Sequence, residues 1–170
     1  MVDFILFETI PSYLEVQAIR KLILDYSCQE ADDDDDDKIL LPPIAVSFQC
    51  RSGEDIADGT PMLRALEDLI DLELVFALGF NCTKPKFVPA LLHTIAQPLQ
   101  HHQKAILAYP DGGEEWDMIT KSWDPTTKLP EASFGSMMAT FIKQYGPRII
   151  VGGCCGTRPS HIRHIKNLKK

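Results

Sequence analysis

At 170 residues with a formal charge of −7, the chain is long enough for one domain with a full core. Six of its acidic residues form a single run, Asp32–Asp37, without which 17 basic residues face 18 acidic ones, a net −1. That near-neutral balance gives no argument for nucleic acid or membrane partners. No apolar run reaches the ~20 residues of a bilayer span, and the start "MVDFILFETIP" lacks the basic leader and apolar core of a signal peptide.

The expected setting is therefore cytoplasmic. There the five cysteines, Cys28, Cys50, Cys82, Cys154 and Cys155, are expected as free thiols, metal ligands or catalytic groups, not as a disulfide framework.

Taken in chain order, short apolar runs alternate with helix signals. The run "VDFILF" at 2–7 reads as a strand, and Ser12 with Glu15 forms a capping box before Leu14, Ala18 and Leu22. The Asp32–Asp37 run follows, inside a segment at 30–38 expected to be a solvated acidic loop, with a weak cation site as the minor alternative. "IAVSF" at 44–48 is the second strand, and Thr60 with Pro61 opens the next helix. "LVFALGF" at 74–80 leads to a helix started by Thr83 and Pro85. "AILAY" at 105–109 leads to one opened by Ser133, and "RIIVGG" at 148–153 to a last helix from Pro159 to the end, basic in its final turns.

Continuous apolar runs of this kind suit strands buried on both faces of a parallel sheet. Five βα units in sequence imply an α/β fold, and spacing alone leaves open a doubly wound sheet or part of a (β/α)₈ barrel. In both, ligands gather where strands end. The candidates there are Glu8 and Thr9, Ser47 to Cys50, Asn81 and Cys82, Tyr109 to Glu114, and Cys154 and Cys155. His93, His101 and His102 fall on the far rim and read as surface residues, and His161 as part of the packing at the last helix start.

Cys82, Cys154 and Cys155 end two different strands. Three thiolates suit Zn²⁺ in a tetrahedral site with one position left open. Small buried hydrophobes and a redox pair at Cys154 and Cys155, strained between neighbours, remain as alternatives on spacing.

The stretch "VGGCCGTRPSHIRHI" resembles the last strand, loop and helix of the homocysteine S-methyltransferase family, with its Gly-Gly-Cys-Cys-Gly turn. "ALGFNCTKPKFVPALL" is similar to the family's Gly-x-Asn-Cys-Thr-x-Pro segment, and "AYPDGGEEWDMITKSW" to its Tyr-Pro-Asn-x-Gly-Glu segment, with Asp111 in place of Asn. "ILFETIPSYLEVQAI" and "AVSFQCRSGEDIADGT" resemble two further segments, so five motifs run in the family's order across 1–170.

The resemblance implies a partial TIM (β/α)₈ barrel of about five βα units, similar to strands 4–8, with the N-terminal units lacking. It implies Zn²⁺ held by Cys82, Cys154 and Cys155, with Glu8 receiving the homocysteine amino group. Asn81, the other substrate-binding candidate, reads either as a donor that orients Cys82 or as part of a local turn. The implied activity is methyl transfer from a sulfonium donor, S-methylmethionine or S-adenosylmethionine, to the thiol of homocysteine, giving methionine. Betaine stays open as a donor. The other reading is a non-catalytic zinc- or thiol-binding half-barrel that needs a partner chain, because two open edges invite a homo-oligomer or a complementing chain.

Overall fold

A computed structural model describes residues 2–29 and 41–167. The Asp32–Asp37 run, expected as a solvated loop, and Lys169 and Lys170, expected at the basic end of the last helix, lie outside the described residues.

Five strands, β1 (Ile5–Ile10), β2 (Ile44–Gln49), β3 (Val75–Asn81), β4 (Ala105–Tyr109) and β7 (Ile149–Val151), form one sheet in that spatial order. Every pairing within it is parallel. The helices α1 (Tyr13–Gln29), α2 (Met62–Glu67), α3 (Val88–His101) and α4 (Glu131–Tyr145) lie on the crossovers between successive strands, and α5 (Pro159–Asn167) follows the last one. Between β4 and α4 the chain adds a small antiparallel hairpin, β5 (Glu115–Asp117) and β6 (Ser122–Asp124). It has no counterpart in the sequence reading.

Alternation along each strand divides the sheet into two faces. One is packed by the helices around Val46, Phe48, Leu78, Phe80 and Ile106, all buried. In register on the other face lie Leu6, Ala45, Ala77 and Ala105, and above them Ser47, Gly79, Leu107 and Ile150. Alanine and glycine at its middle leave that face shallow, and at its flanks Leu6 and Ile150 are exposed. This is the arrangement of a partial barrel: helices outside, small residues inside, and outer edges on β1 and β7 that are unpaired among the described residues.

Local signals behave as their chemistry dictates, with three corrections. Ser12 does cap α1, taking the Glu15 N–H at 3.4 Å and donating to the Glu15 carboxylate at 3.0 Å. Thr60 does not cap α2, whose first turn follows Pro61 without a side-chain cap. Thr83 does not cap α3 either. Its hydroxyl accepts from the Cys50 N–H at 3.0 Å and donates to the Asn81 carbonyl at 2.9 Å, so it ties β2 to β3. α4 begins at Glu131, behind Pro130, two residues before Ser133, because Pro130 already supplies the fixed φ that starts a helix.

Candidate functional site

All five parallel strands end at one rim, and the sequence candidates meet there. The turn after β3 puts Cys82 in the left-handed region at φ +44°, and Thr9, near the end of β1, has φ +62°. Non-glycine residues adopt this conformation only where their surroundings hold it. At Thr9 the holder is Asn81, whose side-chain oxygen accepts the Thr9 N–H at 3.0 Å while its amide donates to the Thr9 hydroxyl at 2.7 Å.

Asn81 is fully buried and links the whole rim. Its oxygen also accepts from the Ser47 hydroxyl at 2.9 Å, Ser47 lies 2.6 Å from the Tyr109 hydroxyl, and the Asn81 amide faces the Cys154 Sγ at 4.0 Å. The sequence reading leaves Asn81 between orienting Cys82 and a local turn role. The structure aims it at Cys154 instead, because a side chain at a strand end reaches across to a neighbouring loop more easily than back to the next residue of its own turn. Burial pushes the Tyr109 phenol up to about 12; the Ser47 hydrogen bond works against this and the nearby Glu8 carboxylate adds to it. Glu8 is thus placed at the same rim, exposed to solvent.

The cysteine loop is fastened to the loop after β4. The Cys154 N–H donates to the Pro110 carbonyl at 2.8 Å, and the Gly112 N–H donates to the Cys155 carbonyl at 2.7 Å. Gly156 has φ +72°, and a Cβ there would stand 3.1 Å from a Glu114 carboxylate oxygen, so only glycine suits this exit. Glu114 itself pairs with Lys128 at 3.2 Å. His161 stands apart from this rim as expected, buried, with its Nδ1 accepting the Arg158 N–H at 3.0 Å at the start of α5.

The Sγ atoms of Cys82, Cys154 and Cys155 lie within 4.8 Å of one another. Cys155 Sγ is 3.6 Å from that of Cys82 and 3.9 Å from that of Cys154. A tetrahedral zinc with bonds of about 2.3 Å holds its sulfurs about 3.8 Å apart, so these two separations fit. Cys82 and Cys154 are joined as a disulfide, where the sequence reading expects free thiols, metal ligands or catalytic groups. Reduction of that pair would free both sulfurs to take the wider spacing that a shared ion requires. The donor set therefore fits zinc with a fourth position open, once that pair is reduced. Cys50 plays no part in it; burial pushes its thiol up to about 12.

Beside the cysteines a pocket of about 530 Å³ opens, lined among others by Cys82, Cys155, Lys84, Asp111, Trp116 and Trp123. The sequence reading takes the Lys-x-Trp segment at 121–123 only as leaning towards a sulfonium donor and has no role for Trp116 or for Lys84, which pairs with Asp111 at 3.1 Å. The signal available was the doubled Trp-Asp dipeptide at 116–117 and 123–124, which marks the two hairpin strands.

Comparison with known proteins decides the family. A model of the family described as homocysteine S-methyltransferase matches residues 1–168. The chain belongs to the homocysteine S-methyltransferase family. It is 35% identical to homocysteine S-methyltransferase 1 of Brassica oleracea var. italica over 99% of its own length and 47% of that protein's. It is 31% identical to the homocysteine S-methyltransferase YbgG of Bacillus subtilis, over 96% of its own length and 45% of that protein's. In fold it is similar to the homocysteine methyltransferase MmuM of Escherichia coli in its oxidised form, with a TM-score of 0.67 at 24% identity, covering 98% of this chain and 45% of that one. The metallated form of MmuM gives a TM-score of 0.66. This member of the homocysteine S-methyltransferase family spans about half the length of the curated relatives it matches.

Proposed function

We propose that this chain carries the thiol-activating half of a homocysteine S-methyltransferase, with Zn²⁺ on Cys82, Cys154 and Cys155. The observation that supports it most is the convergence of these three sulfurs from two strand ends onto one point beside an open pocket. Zinc held by these residues would supply a Lewis acid that favours the thiolate of a fourth, incoming sulfur at neutral pH.

The remaining work falls to the chain's own groups. Asn81, fixed by Ser47 and Thr9, keeps its amide on Cys154, as the outer partners of metal ligands do. Glu8, on the same rim, meets the ammonium of homocysteine. The homocysteine thiol gives its proton to solvent, and its sulfur attacks the methyl carbon of S-methylmethionine or S-adenosylmethionine. The new S–C bond forms as the donor S–C bond breaks, and that electron pair stays on the donor sulfur, which leaves as a neutral thioether. The same reading places the protein in a reducing, cytoplasmic compartment, where Cys82 and Cys154 stay available as thiolates. The open edges of β1 and β7 are where further βα units or a second copy would pair.

The test is methionine formation from homocysteine and S-methylmethionine by the reduced, zinc-loaded chain, with and without the family's N-terminal βα units supplied as a separate polypeptide. Turnover in either case, lost in Cys154→Ser, is expected. Zinc binding with no turnover in both would overturn the enzymatic reading and leave a binding half-barrel.

A further inference from the structure

The pocket at the rim has a wall that the cysteines do not explain. Trp116 and Trp123 stand opposite each other on β5 and β6, their rings edge to face with centroids 5.3 Å apart. They are 47% and 55% exposed, so each ring keeps surface that an incoming group can reach.

Two strands of three residues do not hold themselves in place. This hairpin is tied down from outside. Lys86 pairs with Glu115 at 3.2 Å, and the Lys84 ammonium donates to the Glu114 carbonyl. The Glu115 N–H donates to the Thr127 hydroxyl at 2.8 Å. The result is an aromatic pair held at the pocket that Cys82 and Cys155 also line.

The chemistry of the pocket selects the ligand class. An indole face carries negative charge density and attracts cations more strongly than any other aromatic side chain. Trp123 already receives one: the Lys84 ammonium is 5.5 Å from its ring centroid. Arg51, Lys84 and Lys86 stand in the same pocket beside Asp111 and Glu115, so both signs of charge are present to meet the ammonium and carboxylate of an amino acid.

We propose that Trp116 and Trp123 form the methyl-donor subsite and take a sulfonium amino acid, its charged sulfur against the indoles and its amino-acid end among the charged side chains. This rests on the methyltransferase reading and names the donor side of the same site. The subsite distinguishes donor from product. When the acceptor sulfur takes the methyl group, the donor's S–C electron pair remains on its sulfur and the positive charge is gone. The aromatic wall then loses its attraction for what is left, so the spent thioether departs.

Trp116 and Trp123 are the only two tryptophans of the chain, so its indole fluorescence reports on this hairpin alone. The experiment titrates the reduced chain with S-methylmethionine, with its uncharged carbon isostere 2-amino-5-methylhexanoic acid, and with betaine as a quaternary ammonium. Saturable binding of S-methylmethionine, about tenfold tighter than the isostere, is expected from a desolvated cation–aromatic contact. Trp123→Leu should bring the two within about twofold, and Trp116→Phe should keep part of the preference, both checked for native circular dichroism. The preference should persist in Cys154→Ser, where zinc is lost, so failure of the subsite and failure of the metal reading are read separately. Equal affinity for cation and isostere, no binding of either, or an undiminished preference in Trp123→Leu would overturn the proposal. Betaine binding as tightly as S-methylmethionine would overturn the assignment to a sulfonium amino acid.

Discussion

The two faces of the one parallel sheet are built on opposite principles. The helix-covered face is closed and apolar, with Val46, Phe48, Leu78 and Phe80 fully buried, so its residues determine whether the chain folds. The inner face is shallow at its middle, where Ala45 and Ala77 leave room. It turns polar at its end, where Asn81, Ser47 and Tyr109 hydrogen-bond beside three cysteine sulfurs. Two of the four non-glycine residues in the left-handed region among the described residues, Thr9 and Cys82, lie at this polar end. Stability and chemistry are separated by the width of one sheet, so a substitution on one face should leave the property of the other nearly intact.

The largest expected effect is at the sulfurs. Cys154→Ser should abolish zinc binding by the reduced chain while shifting the unfolding midpoint in denaturant little, as the half-buried Sγ fills no core space. On the opposite face the pattern reverses. Phe48→Ala should cost about 3–5 kcal/mol in unfolding free energy through the cavity it leaves, with the zinc stoichiometry of the folded fraction unchanged. Asn81→Leu lies on the seam and should move both. It leaves the Thr9 N–H without its partner and the Ser47 hydroxyl with Tyr109 alone, at about 1–3 kcal/mol, and should weaken zinc affinity about 10- to 100-fold, measurable by chelator competition.

The last effect is confined to alkaline solution. The Cys50 thiol is held at about 12 by burial, against an ordinary value of 9.0. Its neutral form is thus favoured by folding, and the stability it contributes is complete below pH 9 and lost as pH rises toward 12. The loss should run at about 1.4 kcal/mol per pH unit. Tyr109, raised from 10.0 to about 12 mainly by burial, acts in the same direction from pH 10. Cys50→Ala should move the onset of alkaline destabilisation in urea titrations from about pH 9 to about pH 10.

How much was legible follows the same two faces. The parallel strands were readable because burial on both sides leaves continuous runs such as "IAVSF" and "AILAY". The first strand was placed at 2–7 but spans Ile5–Ile10. Its C-terminal residues Glu8 and Thr9 are polar, since they belong to the site rather than to the core. The cysteines were findable from their positions at strand ends. The link from Asn81 to Cys154 was not, because spacing along the chain carries no information about which loop a strand-end side chain meets across the rim. The hairpin was missed for a different reason. Trp116 and Trp123 are both exposed, so no alternation of buried and exposed residues marks strands three residues long.

The most direct test of the central claim is the zinc content of the reduced, purified chain, measured together with its far-ultraviolet circular dichroism. About one zinc per folded chain, absent from Cys82→Ser, Cys154→Ser and Cys155→Ser alike, is the expected result. A folded wild-type chain that binds no zinc after reduction of the Cys82–Cys154 pair would contradict it.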